Sequence, residues 1–287
     1  MTPIAKQQDL PAQARAITIF THRLATLVEA GVPAARALTV LHDVPSPYGN
    51  ASRDMCTFLQ EAGAESSAPM FSAERMYIDW LYNPDRYPTL IEHLTKAVEQ
   101  QRYLLPSRSQ GLAKALTQQS SLFSPFYINV VYHGDNAGLL DATLRHLATL
   151  LERQWQLADN RPEGEEPVFC FLPADKPPVK DWTELTAYQQ HTTLALLLRG
   201  FATTLACNVP ILQAMALMAV VLPATQAEIW LTARQDIMKG DPMSAGLIRM
   251  AVFPDFVVQL ISVGEEMGIL DSTLARAADL IEYEKVY

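Results

Sequence analysis

The sequence predicts an all-α protein built as two tandem antiparallel helical bundles. Three observations carry this. Apolar residues recur at helical spacing in both halves, with no alternating strand pattern. A proline- and acid-rich stretch divides the chain near its middle. A glycine–acid motif before that stretch returns after it. The chain has 287 residues, 49% hydrophobic and 18% charged, enough for two cores and too apolar for a disordered tail. The boundaries read as a first helical domain over 1–157 with an insertion around 43–106, a linker over 158–190, and a second helical domain over 191–287.

The elements follow in order. Met1 to Leu10 is polar, with Lys6 and Asp9, and lacks the apolar core of an export signal. Ile17, Phe20, Leu24, Leu27 and Val28 make one helical stripe, which Gly31 ends in the left-handed bend that glycine adopts cheaply. Pro33 starts a second helix over Ala34 to Leu41, since its missing N–H is no loss in a first turn. After the insertion, Leu140, Leu144, Leu147 and Leu151 form a stripe that Leu270, Leu274, Ala277 and Ile281 repeat. Between them Pro162, Pro167, Pro173, Pro177 and Pro178, with Glu163, Glu165 and Glu166, oppose helix. Within that linker Phe169 to Leu172 is an apolar anchor. The most apolar window, Thr192 to Pro223, is interrupted by Arg199, Asn208, Pro210 and Gln213, so no span of about 20 apolar residues is present. Met215, Met218, Met238, Met243 and Met250 read as core filling.

The repeat is specific at the residue level. His133-Gly134-Asp135-Asn136-Ala137-Gly138-Leu139-Leu140-Asp141-Ala142-Thr143-Leu144 matches Val263-Gly264-Glu265-Glu266-Met267-Gly268-Ile269-Leu270-Asp271-Ser272-Thr273-Leu274. Upstream, Leu24 to Pro33 aligns with Phe201 to Pro210 at a larger offset, and the difference between the two offsets places the insertion within His42 to Gln110. Gly138 and Gly268 suit the positive φ of a tight helical hairpin. Asp141 and Asp271 then open the next helix, where a carboxylate caps free amides and meets the favourable end of the dipole. Asp135 and Glu265 are expected in the turn between Gly134 and Gly138 and between Gly264 and Gly268. There they offer oxygen ligands to a hard cation or a docking face to a partner.

Composition narrows function by exclusion. Twenty-two lysines and arginines against 31 acids give a net charge of −9, which opposes nucleic acid and anionic lipid as partners. Cys56, Cys170 and Cys207 are scattered without a CxxC pair, as suits a reducing, cytoplasmic setting. The six histidines lack zinc spacing, and no nucleophile elbow, P-loop or dinucleotide fingerprint is present, so no catalytic residues are assigned.

At these residues the chain resembles a family. Phe20-Thr21, Leu24-Ala25-Thr26-Leu27, Ala30-Gly31-Val32-Pro33 and Ala37-Leu38, then Phe123, Pro125 and Tyr127 leading into Gly134-Asp135 and Gly138, are similar to the F domain of type II secretion and type IV pilus inner-membrane platform proteins. Phe253-Pro254 leading into Gly264-Glu265 and Gly268 gives the second copy. Asp135 stands where the family more usually has Glu, and Cys207-Asn208 where the second copy has a small residue and Gly. The resemblance implies a non-enzymatic scaffold that contacts a cytoplasmic assembly ATPase and other inner-membrane components. It also implies a calcium ion of the kind held by some relatives' first domain, and, because two copies of one bundle present similar apolar faces, like domains are expected to pair within the chain or between chains as a homo-oligomer. No other cofactor is expected. Platform proteins place membrane helices after each domain. Here a polar linker follows the first; a chain with its spans removed and a naturally soluble relative are the two readings, and the acid-rich linker favours the soluble one, cytoplasmic or held at the inner membrane through partners. A soluble regulator that competes with a membrane-bound platform protein is the alternative.

Overall fold

Residues 10–44, 47–62, 111–173 and 181–284 are described by the structure, a computed structural model, and every regular element among them is helical. The helices are α1 (Leu10–Glu29), α2 (Ala34–Val40), α3 (Tyr48–Ala62), α4 (Leu112–Gln118), α5 (Pro125–Asn136), α6 (Leu140–Asp159), α7 (Ala187–Ala206), α8 (Ile211–Met218), α9 (Ala224–Met238), α10 (Met243–Met250), α11 (Asp255–Met267) and α12 (Leu270–Glu284). Most of the expected insertion, from residue 63 onward, lies outside the described residues. The chain forms two compact units, one over 16–148 and the other over 149–287 with the start of the chain through Arg15, so the division falls inside α1 and inside α6.

In the unit over 16–148 the core is aromatic. Phe20, Tyr48, Phe123 and Tyr127 form a chain of ring contacts with centroids 5.1–5.7 Å apart, in the tilted and edge-on arrangements that favour the ring quadrupoles. Burying two phenols requires partners for their hydroxyls. Tyr48 donates to the Leu122 carbonyl at 3.2 Å. The Thr21 hydroxyl donates to the Ile17 carbonyl at 2.8 Å, so the Tyr127 hydroxyl, 3.2 Å away, is the donor to Thr21. Burial pushes the Tyr127 phenol far above its ordinary value, although the Thr21 contact works the other way.

The unit that holds 149–287 builds its core around Trp230, Phe201, Met215 and Met218, all fully buried. Trp230 meets Phe201 edge-on at 5.6 Å and donates its indole N–H to the Met215 carbonyl at 2.7 Å. Helix α7 starts with a reciprocal capping box between Thr186 and Gln189, and packs along α12.

Among the described residues the order of helices α7–α12 parallels that of α1–α6, and several turns match. Val32 donates its N–H to Leu27 O at 3.0 Å, as Val209 does to Thr204 O at 3.0 Å. Gly31 at φ +80° and Asn208 at φ +59° hold the matching left-handed positions, which explains the tolerated asparagine. Pro33 O and Pro210 O then accept from Ala37 and Ala214 to open α2 and α8. Two sequence expectations need correction. Helix α2 stops at Val40, because Leu41–Asp43 tighten into a 3₁₀ turn, as Ala219–Val221 do after α8. Met238 is exposed at the end of α9, whereas Met215, Met218, Met243 and Met250 are buried.

The stretch after α6 is not a free tether. Phe169, Phe171 and Leu172 are buried in an irregular strap that bends at 170–172. Gln154 of α6 fixes it, its side-chain oxygen accepting the Cys170 and Phe171 amides at 2.7 and 3.0 Å. The Phe171 ring lies so close to Gly200 of α7 that an added Cβ there would come within 2.7 Å of it.

Candidate functional site

The motif residues build two equivalent helical hairpins, α5–α6 and α11–α12. Gly138 and Gly268 close α5 and α11 in the left-handed conformation, at φ +72° and +69°. Around Gly138, Leu139 donates to Gly134 O at 2.8 Å and Gly138 to Asp135 O at 3.0 Å. Ile269 and Gly268 repeat the pair to Gly264 O at 2.9 Å and Glu265 O at 3.3 Å. This doubled closure is the Schellman pattern, which satisfies the last carbonyls of a helix and reverses the chain at once.

The first glycine of each motif serves a different need. Gly134 and Gly264 lie inside their helices and are buried. A Cβ on either would overlap the hydroxyl of Thr143 or Thr273 on the returning helix. The threonine side chain of the returning helix therefore packs directly on the glycine backbone, and only glycine leaves room for it.

The acids are not in the turn. Asp135 sits in the last turn of α5 and Glu265 in that of α11, where a carboxylate meets the unfavourable end of its own helix dipole. Their position answers to another helix. Glu265 accepts the Met243 amide at 2.7 Å through Oε1 and the Ser244 amide at 3.4 Å through Oε2, so it caps the N-terminus of α10, whose own N-cap residue is Pro242. Asp135 occupies the same place in the first copy. Its Oδ2 lies 3.2 Å from where a Cβ on Gly111 would stand, and Gly111 is the N-cap residue of α4. One methylene shorter, Asp135 reaches the cap residue where Glu265 reaches two amides. Burial holds its carboxyl above the usual range.

Asp141 and Asp271 lie in the first turns of α6 and α12, but among the described residues neither accepts an amide. Asp141 instead stands 4.0 Å from Arg145, one turn on, and Asp271 is exposed. Both keep the expected first-turn place at the favourable end of the dipole, while the amide cap belongs to Glu265. The readable signal lay elsewhere: α4 and α10 follow Gly111 and Pro242, which carry no side-chain acceptor, so each needs one from outside. Among the described residues no three His, Cys, Asp or Glu converge as metal ligands, and a cation at Glu265 would displace two amide hydrogen bonds.

A charged cluster, also missed, joins α6, α7 and α12 within one unit. Glu282, its side chain 4% exposed, takes Arg199 on Oε1 at 2.5 Å and Arg153 on Oε2. Arg199 also reaches Asp279 at 2.5 Å, and Arg153 holds Gln156 at 3.0 Å. Burial works to lower the Arg199 pKa, but the bonds and charges of Glu282 and Asp279 together raise it. An isolated arginine inside the apolar run of α7 was the clue, because a charge in such a run must be paired.

Residues 197–285 match the family model described as type II secretion system protein F. Over 96% of its length the chain is 24% identical to the type II secretion system protein F of Xanthomonas campestris pv. campestris, of which 74% is covered. It is 23% identical over 60% of its length to the type 4 fimbrial assembly protein PilC of Pseudomonas putida, covering 61% of that protein. The type IV pilus assembly protein PilC of Myxococcus xanthus is 28% identical over 48% of the chain and is covered over 31% of its own length. The matched model takes in α11, α12 and the second motif whole.

Proposed function

We propose that this chain, similar over residues 197–285 to the type II secretion protein F family model and 23–28% identical to type II secretion protein F and type IV pilus assembly proteins, is a non-enzymatic structural component of a secretion or pilus assembly machine. It contacts the assembly ATPase and other inner-membrane components and transmits movement rather than making or breaking bonds. The observation that carries this reading is the repeated hairpin itself. The motif's glycines and one of its acids are spent on architecture: the glycines on a turn and a close crossing, and Glu265 on capping α10. Such a pair of rigid, matched hairpins suits a part that is held and moved.

The chain resides on this reading in the cytoplasm or at the inner membrane through its partners, and pairs through like domains. Co-purification from cells producing the intact, tagged chain tests it. Recovery of the assembly ATPase or of another inner-membrane component is expected; recovery of none, with the protein folded and abundant, overturns it.

One observation favours a second reading, a regulator that competes with a membrane-bound platform protein. No helix among the described residues is long and apolar enough to cross a membrane. Deleting the gene then raises secretion or piliation, whereas the structural role requires that deletion reduce it.

A further inference from the structure

Helix α11 has two apolar faces. Val257, Ile261 and Gly264 form the buried one, which sets its place against the unit's core. Phe256, Leu260, Val263 and Met267 form the other, at steps of four, three and four residues, and it emerges into solvent. Phe256 and Leu260 are half-buried, while Val263 is 48% and Met267 66% exposed, and Ile269 just past the turn adds another 40%. The fold does not require this second stripe.

Nor does the duplication impose it. The matching positions of α5 are Phe126 and Val130, both buried, followed by His133 and Ala137. Where the first copy's helix ends it carries half-buried His133 and exposed Ala137, with Leu139 past the turn exposed as Ile269 is. At the same two positions the second copy carries valine and methionine. Exposed methionine beside a branched side chain is the composition of an adaptable contact surface.

The surrounding charge has one sign. Between Arg249 and Arg276 the charged residues are Asp255, Glu265, Glu266 and Asp271, with no lysine or arginine. Glu265 is committed to α10, which leaves Asp255, Glu266 and Asp271 exposed around the stripe. From Phe256 to Met267 the face runs about 17 Å, three turns of helix, too narrow for the roughly 800 Å² per partner of a standard globular interface. A second α11 fits poorly in either direction, because its own acids would meet these.

We propose that this face of α11 docks an amphipathic helix of a partner protein, one whose apolar stripe is flanked by lysine or arginine. The apolar stripe supplies the contact area, and the acidic rim sets orientation and excludes acidic helices. The inference goes beyond the machine-component reading, since it concerns the chemistry of the docked segment and holds whichever protein provides it.

The test uses the full chain and a fluorescein-labelled peptide of about fourteen residues, with leucine at the heptad seam positions and lysine beside them. Its counterpart carries glutamate in place of lysine. Fluorescence anisotropy is read for the wild type, for Val263→Ser with Met267→Ser, and for Glu266→Lys with Asp271→Lys. All four positions are exposed, so folding is checked by circular dichroism and should be unchanged. Saturable binding of the lysine peptide is expected, weakened about tenfold or more by either pair of substitutions, and unaffected by Val220→Ser at an exposed position elsewhere. Equal binding by both pairs of variants overturns the proposal, as does equal binding of the glutamate peptide. A concentration-dependent dimer that Val263→Ser with Met267→Ser abolishes, seen by sedimentation velocity, also overturns it, by making a second copy the occupant.

Discussion

Replacing Glu282 by glutamine removes the charge that two arginines share. Glu282 is the buried member of its cluster, with a side chain 4% exposed, while Arg199 is 19% and Arg153 41% exposed. Leaving a buried charge without its partner costs about 3–5 kcal/mol. Arg153 relaxes toward water and Arg199 keeps Asp279, so the lower end applies, about 3 kcal/mol. For a unit of this size that corresponds to a fall in melting temperature of roughly 6–12 °C. Intrinsic fluorescence is weighted toward this unit, because three of the four tryptophans, Trp155, Trp182 and Trp230, belong to it, and Trp80→Phe removes the signal of the other. Asp279→Asn is the internal comparison. Its carboxylate is 65% exposed, and an ion pair of that kind contributes under about 1 kcal/mol. Should Glu282→Gln melt within about 1.5 °C of the wild type, or no lower than Asp279→Asn, the cluster is a surface feature and the reasoning fails.

Four further outcomes follow from the hairpins and the strap. Gly264→Ala should destabilise by about 2 kcal/mol through overpacking, and adding Thr273→Ala should not rescue it, since the Thr273 Cβ alone would stand 2.7 Å from the new methyl; full rescue in chemical denaturation would contradict the close crossing. Glu265→Ala should cost about 1–2 kcal/mol by uncapping α10, visible as loss of hydrogen-exchange protection at the Met243 and Ser244 amides, and unchanged protection would refute the cap. For Asp135, whose folded carboxyl is raised, the folded state binds the proton more tightly than the unfolded one. Stability is therefore lost as pH rises from the unfolded value toward the folded one, and stays lower above it. Asp135→Asn should flatten that slope and raise the neutral-pH melting temperature, and a lower one would count against it. Phe171→Ala should destabilise by about 3 kcal/mol and make the 159–187 stretch sensitive to protease; resistance equal to the wild type would show the strap is not held by its ring.

The helices were legible because each carries its own period. Ile17, Phe20 and Leu24 are buried as their spacing requires, and so are Leu144, Leu147 and Leu151 with Leu274, Ala277 and Ile281. The turn glycines were legible for the same local reason, since Gly138 and Gly268 are recognised by their position after a helical run. What was hidden is whatever depends on a distant chain segment. Glu265 serves an amide twenty-two residues away, and nothing adjacent to it reveals that. Gly134 looks like half of a turn motif until Thr143 is seen to occupy the space of its missing side chain. Prolines forbid helix in the strap, and residues 160–173 form none. Composition alone does not say that Gln154 supplies an acceptor for two successive amides. The charge on Glu282 carried no sequence signal until Arg199 was placed opposite it.

The pinned Phe171 has a consequence for how chains of this kind exchange parts. A loose connection of nearly thirty residues would let the second copy leave its own chain and settle in a neighbour's place, because lengthening a loop adds only about 0.6 kcal/mol per doubling. Tying the connection at its middle removes that freedom. Before any swap, an aromatic ring must be drawn from beside Gly200 and two amides surrendered by Gln154. Copies that look alike are thereby kept in the polypeptide that made them.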